Sequence, residues 1–306
     1  MDKDTMTTTT DQSFMNPEAV ALGDPDLSFS FAERRTLWNF IQTLILWLLA
    51  GVAAIPLISV LWMLISRGGL RLSLAIFTEL PPAPFEQGGG IGNAILGTLV
   101  MVVIAAAISI PIGVLGGIYT GLLNPNGKLS AIIRFVGKVL TGFPSILSGV
   151  FVYAWLVVVM KTYSALAGGV ALSILMLPTI LLTAEQAFRM VPQRMKDAAY
   201  GMGCNSTQVA TKIVLPTALP GVMTGVMLAV AGASGESAPL LFTALFSNYW
   251  IGSFTEPTAS LSILIYNFSA MPYENQIELA WTASLVLVLI VLVFNILSRS
   301  FGTRRV

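Results

Sequence analysis

The stretch Asp197–Pro216, DAAYGMGCNSTQVATKIVLP, is a polar, helix-compatible island between two long apolar runs. A charged, glycine-jointed insert so late in an otherwise apolar chain suits an element that docks outside the bilayer better than one that crosses it. Residues 195–200 read as one short helix, Gly201 and Gly203 permit a sharp turn, and residues 206–214 read as a second helix. Asn205 or Ser206 suits the N-cap of that second helix, because a short side-chain oxygen there accepts from free backbone N–H groups. Pro216 then marks the start of the fifth apolar run.

Composition sets the class. Of 306 residues, 55% are hydrophobic and 10% charged, against roughly 25% charged in soluble domains. With 16 basic and 15 acidic residues there is no net field to steer nucleic acid. The absence of His removes the side chain best suited to proton relay near neutral pH. Cys204, the chain's lone cysteine, excludes an intrachain disulfide and a thiolate metal cluster. No catalytic constellation and no metal site are expected. Residues 1–33, rich in Thr, Ser and Asp in their first thirty, lack the basic start and apolar core of a signal peptide. They read as a disordered cytoplasmic tail preceding a membrane domain over 34–306.

A crossing helix needs about 20 mostly apolar residues. Six segments qualify: 37–65, 91–119, 139–160, 169–188, 217–245 and 278–298. Pro56, Pro111, Pro144, Pro178 and Pro239 interrupt them, which is tolerated where neighbouring groups satisfy the freed carbonyls. With the amino terminus inside, Lys3, Arg34, Arg35, Lys128, Arg134, Lys138, Arg189, Arg194, Lys196, Lys212, Arg299, Arg304 and Arg305 fall on the cytoplasmic side. Only Arg67, Arg71 and Lys161 fall outside. Thirteen basic residues against three places both termini, and the 189–216 loop, in the cytoplasm. Residues 66–90 read as an irregular outer loop, rich in Gly and Pro. Residues 247–277, with Tyr249, Trp250, Phe254 and Tyr273, read as a second outer loop with interfacial aromatic anchors, or as part of an outer gate or carrier landing surface.

The 197–216 stretch resembles the coupling loop of permease subunits of bacterial ABC importers, written E-A-A, three residues, Gly, nine residues, I-x-L-P. Here Asp197, Ala198 and Ala199 lead to Gly203, and nine residues later come Ile213, Leu215 and Pro216. Asp stands for Glu at the first position, and the charge is kept. On spacing alone, a solvated helical hairpin without a partner reads equally well. Further resemblance lies in GESAPLLFTALFSNYW from Gly235, FPSILSGVFVYAW over 143–155, GNAILGT over 92–98 and MPYENQIELAW over 271–281. These are similar to PstA-type permeases of the high-affinity phosphate ABC importer, from about residue 35 to the carboxyl end.

That resemblance implies an all-α fold of the type I, MetI-like importer permeases, with six transmembrane helices. It implies a non-catalytic pore subunit in the bacterial inner membrane. It further implies a PstC-type permease completing a heterodimeric pore, two PstB-type ATPases, and a periplasmic PstS-type phosphate-binding protein. No G-x-x-x-x-G-K-[ST] string occurs here, so ATP and Mg are expected on the ATPase subunits and no cofactor on this chain. A permease for another oxyanion, molybdate or sulfate, shares the coupling loop. A secondary transporter is the reading of another class, and it would work without ATPases.

Two positions depart from the family pattern. Gly232 and Leu182 stand where members often carry Arg, each one helical turn before a carboxylate. Those carboxylates, Glu236 and Glu185, are the ionisable groups well inside expected spans. Such charges are costly in the bilayer and usually face protein or water with a partner. Arg189, four residues after Glu185, is its expected partner. No Lys or Arg lies between Lys212 and Arg299, so Glu236 is expected either to pair with an arginine of the partner permease at a gate or to reach outward to water. Ser145, Ser148 and Ser234 are further pore candidates, able to donate to phosphate oxygens or, more ordinarily, to their own backbone.

Overall fold

The computed structural model describes residues 34–302, and side chains from Thr36 to Ile296. The expected amino-terminal tail, residues 1–33, lies outside them. No strand occurs among the described residues. The chain divides into two compact units, Met1–Val60 and Leu61–Val306.

The first unit holds most of α1 (Arg34–Gly68), a helix that contains Pro56. Trp38, Leu46, Trp47, Ile55 and Leu57 all stand exposed on it. A helix apolar on every side is stable only within lipid or against other protein.

In the second unit follow α2 (Leu74–Thr78), α3 (Gly92–Ile118), α4 (Lys128–Thr141), α5 (Ser145–Val152), α6 (Val158–Met160), α7 (Ala165–Met190) and α8 (Gln193–Gly201). The order ends with α9 (Ser206–Val209), α10 (Leu215–Ser234), α11 (Ala238–Thr243), α12 (Leu261–Ser269) and α13 (Glu274–Gly302). Among the described residues, five helical stretches are long and apolar enough to cross a bilayer: Thr36–Arg71, Gly92–Leu123, Ala165–Met190, Ser206–Ser234 and Glu274–Ile296. A sixth crossing requires the bent pair Lys128–Thr141 and Ser145–Met160, which meet at 105°.

That bend corrects the expected span 139–160. Pro144 lacks a backbone N–H and disfavours helical geometry at the residue before it, so the helix stops at Thr141 and restarts at Ser145. Residues 139–141 belong instead to α4, whose Leu129, Ile132, Phe135 and Val139 form an exposed apolar stripe. The expected span 217–245 is shifted toward the amino terminus, to Ser206–Ser234. α10 ends at Ser234, and Gly235-Glu236-Ser237 forms a junction before α11. In the expected outer loop 247–277, α12 is core rather than surface, with Leu261, Ile263 and Leu264 fully buried.

α7 is the centre of the bundle. Gly113, Gly117 and Gly121, at four-residue spacing, face Ile180, Ala184 and Glu185. Gly221 and Gly225 of α10 face Ala187 and Thr183 on an adjacent side of α7. A Cβ on Gly117 would lie 2.6 Å from that of Ala184. Lipid is as apolar as leucine, so helices in a bilayer associate through such close small-residue packing. The resulting core runs through α3, α7 and α10 and includes Ala199 of α8, Val209 of α9 and Val214.

Candidate functional site

The 197–216 stretch forms two short helices joined by a closed turn. α8 starts after Pro192, and Asp197 accepts a 2.9 Å hydrogen bond from the Gln193 amide one turn earlier. At its other end the Cys204 N–H donates to the Ala199 carbonyl (3.1 Å) and the Gly203 N–H to that of Tyr200 (2.9 Å). This pair of bonds is a Schellman ending, which needs a left-handed residue. Gly203 supplies it with φ +83°. Gly201, expected to share in the turn, stays helical. Cys204 packs on the same core as Ala199.

The second helix opens with a reciprocal cap. Asn205 Oδ1 accepts from the Gln208 N–H (2.8 Å), and Gln208 Oε1 accepts from the Asn205 N–H (2.9 Å). Two otherwise orphaned donors are satisfied together. From Ser206 the helix runs unbroken to Ser234, and Pro216 stands in the first turn of α10, just after the π turn. Proline has no N–H to give the carbonyl four residues back, and its ring crowds that group. The wide π turn at Ala210–Val214 opens the helix there.

The motif residues divide by exposure. Ala199 and Val214 are buried, and Ile213 and Leu215 pack partly buried on the same core. Asp197, Ala198, Gly201, Gly203 and Pro216 are exposed. Beside them Met195, Tyr200 and Met202 stand out, Met202 at 76% exposure. The element is fixed to α7 and α10 through one face and presents the other.

Glu185 is paired twice. Arg189 Nη2 lies 2.9 Å from its Oε1, as expected, and Arg134 Nε of α4 lies 2.5 Å from the same oxygen. Arg134 also donates to the carbonyls of Thr120, at 2.8 Å, and Pro125. Leu182, one turn before Glu185, faces Gly137 of α4. The cation absent at 182 is therefore supplied from a separate helix, and nothing local in the sequence marks Arg134 for the task.

Glu236 sits at the α10–α11 junction, half-buried. It lines a cavity of 330 Å³ together with Met176 and Thr179 of α7 and Leu228 and Gly232 of α10. No cation among the described residues pairs with it. A Cβ on Gly232 would meet no atom within 4 Å, so the space an arginine there would enter is open. The Ser262 hydroxyl donates to the Glu236 carbonyl (2.9 Å) and ties α12 to the junction.

Buried Ser148 donates to the Ser145 carbonyl (2.8 Å) and buried Ser234 to that of Val230 (2.7 Å), both within their own helices. The half-buried Ser145 hydroxyl makes no hydrogen bond among the described residues. No cluster of three His, Cys, Asp or Glu able to hold a metal occurs among the described residues.

Residues 113–305 match the family described as binding-protein-dependent transport system inner membrane component. The phosphate transport system permease protein PstA of Yersinia pestis is 37% identical over 243 residues, 79% of this chain and 82% of that protein. Its counterpart in Pasteurella multocida (strain Pm70) is 38% identical over 242 residues, covering 79% and 86%. The PstA 1 protein of Mycobacterium tuberculosis (strain H37Rv) is 31% identical over 280 residues, covering 89% and 91%. Among solved structures, a chain of the MetNI methionine ABC transporter in an inward-facing conformation shares the fold, with a TM-score of 0.54 and 21% identity over 70% of this chain and 93% of that one. The chain belongs to the binding-protein-dependent transport system inner membrane components and, among them, to the PstA-type permeases.

Proposed function

We propose that this chain is a transmembrane pore subunit of an ATP-driven phosphate importer, taking phosphate from a soluble binding protein outside and mechanical force from separate ATPase subunits inside. The α8–α9 element carries the reading. One face of it is continuous with the core of α7 and α10, while Asp197, Ala198, Tyr200 and Met202 face away. Methionine is flexible and polarisable, suited to a surface that must stay packed while a partner moves. A push on this face is transmitted directly to two spanning helices. The chain itself catalyses nothing.

The partners are a PstC-type permease, two PstB-type ATPases that bind the ATP and Mg, and a PstS-type phosphate-binding protein. Both termini and α8–α9 face the cytoplasm of a bacterial inner membrane, an orientation that thirteen basic residues against three support. Glu236 lines the pore cavity and pairs with an arginine of the partner permease, since a free carboxylate would repel a phosphate di-anion. Ser145, at the α4–α5 bend, keeps a hydroxyl unbonded among the described residues that could donate to phosphate. Ser148 and Ser234 are already bonded within their helices. The similar proteins are named for phosphate transport, so molybdate or sulfate is not favoured.

Reconstitution of the complete assembly in proteoliposomes tests the reading. Labelled phosphate should enter only with the binding protein outside and ATP at the ATPases. Uptake with the ATPases omitted, or transport of molybdate in preference to phosphate, would overturn it.

A further inference from the structure

At the end of the bundle away from α8–α9, a cavity of 520 Å³ lies between the loop before α3 and the start of α13. Its walls are pinned by polar bonds. Arg71 Nη1 donates to the Asn275 carbonyl at 3.1 Å and to that residue's side-chain oxygen, and Nη2 donates to the Gly88 carbonyl at 3.3 Å. Asn275 Nδ2 in turn donates to the Glu86 carbonyl at 2.5 Å. Phe85 is held at φ +67°, a left-handed conformation that few non-glycine residues adopt. Its ring meets Tyr273 edge-on, with centroids 4.8 Å apart. Strained backbone persists only where surroundings over-determine it, and it gathers at binding sites.

The charge balance is lopsided. Glu86, Glu274 and Glu278 line the cavity against Arg71 alone. Arg71 lies 3.5 Å from Glu278, which leaves Glu86 and Glu274 without a cation among the described residues. Gln276 adds a second, independent signal. It lines the same cavity at 6% exposure, and its Oε1 is buried with no hydrogen-bond partner among the described residues. Its Nε2 makes only a 3.4 Å bond, to the Pro82 carbonyl. A buried acceptor left unpaired is costly and uncommon, so the site lacks a donor.

We infer that this cavity is an acidic socket for a lysine or arginine side chain of the phosphate-binding carrier protein. The inference rests on the importer reading above, which places this end of the bundle outside. Lysine and arginine carry donors and no acceptor, and so match the Glu274 carboxylate, the Glu86 carboxylate, which among the described residues accepts only from the Ala83 N–H (2.9 Å), and an amide oxygen. Phosphate does not match, because three carboxylates against one guanidinium repel an anion. The exposed Phe85 ring and the half-buried Tyr273 ring offer faces to a guanidinium, and arginine against aromatic residues is a common anchor at protein interfaces. The socket positions the carrier at the pore mouth without binding its cargo.

The test is titration of phosphate-loaded carrier against the complete transporter in nanodiscs. Glu86→Gln/Glu274→Gln should weaken carrier affinity about tenfold and flatten its salt dependence, as loss of a close interfacial charge pair does. Gln276→Leu removes the unpaired acceptor. It should weaken carrier binding several-fold while the unfolding temperature of the assembly holds or rises. An unchanged affinity and salt slope in the double variant would overturn the socket. So would a Gln276→Leu protein that unfolds earlier yet binds carrier normally. Carrier binding by the wild-type assembly with no effect of the variants would sink the socket alone, whereas no binding by wild type would sink the importer reading with it.

Discussion

Arg134 of α4 and Glu185 of α7 meet at 2.5 Å across 51 residues of sequence. The contact fixes the helix before the 105° bend to the most central span of the bundle. Removing Arg134 leaves the buried Glu185 with the more exposed Arg189 as its one cation among the described residues, and takes the donor from the Thr120 and Pro125 carbonyls, a loss of about 1–3 kcal/mol. Arg134→Leu should therefore lower the unfolding temperature of the detergent-solubilised assembly sharply. Arg189→Ala, which removes a more exposed partner of the same carboxylate, should cost about 0.5 kcal/mol. Equal effects of the two would contradict the clamp.

Gly203 sets the angle between α8 and α9. A side chain in its left-handed conformation costs roughly 1–2 kcal/mol, enough to loosen the Schellman ending without unfolding the bundle. Gly203→Val should leave the assembly intact and ATP hydrolysis measurable while phosphate uptake per ATP falls. Unchanged coupling would show that the turn geometry does not matter.

Local chemistry made the α8–α9 element legible in the sequence. A glycine where φ must be positive, an Asn205–Gln208 cap and a polar run between apolar ones are all short-range signals. Five of the six expected crossings were legible for the same reason, since hydropathy reports length. Direction was not. Residues 139–160 read as one apolar run because hydropathy is blind to the turn that Pro144 imposes. The nine residues of α12 were too short to register as a span, and only their tertiary neighbours bury them. In the sequence Arg134 reads as one more cytoplasmic charge, since its partner lies on a distant helix. The Gly113, Gly117 and Gly121 spacing was present in the sequence, and it marks the α3–α7 contact.

Ala198 and Ala199 are adjacent and face opposite surroundings, one exposed and one at 1% exposure. Ala199→Leu overpacks the core and should destabilise by about 1–3 kcal/mol. Ala198→Leu should change stability by less than about 0.5 kcal/mol yet reduce the amount of ATPase that co-purifies. Normal ATPase recovery with Ala198→Leu would argue against this face as the contact.

Glu236 is expected to act through its charge. Glu236→Gln keeps the shape of the side chain, so the two permeases should still assemble while phosphate uptake falls. Glu236→Asp should restore part of the rate. Near-normal uptake by Glu236→Gln in the intact assembly would remove the carboxylate from the gate.

The seating of α8–α9 in a separate ATPase is most directly measured by cross-linking. In a Cys204→Ser background, which leaves no other cysteine, Ala198→Cys should form a cross-link to the ATPase subunit in membrane vesicles and resist a membrane-impermeant thiol reagent applied to intact cells. Labelling of that cysteine from outside the cell, or no cross-link in a transport-competent assembly, would contradict the account.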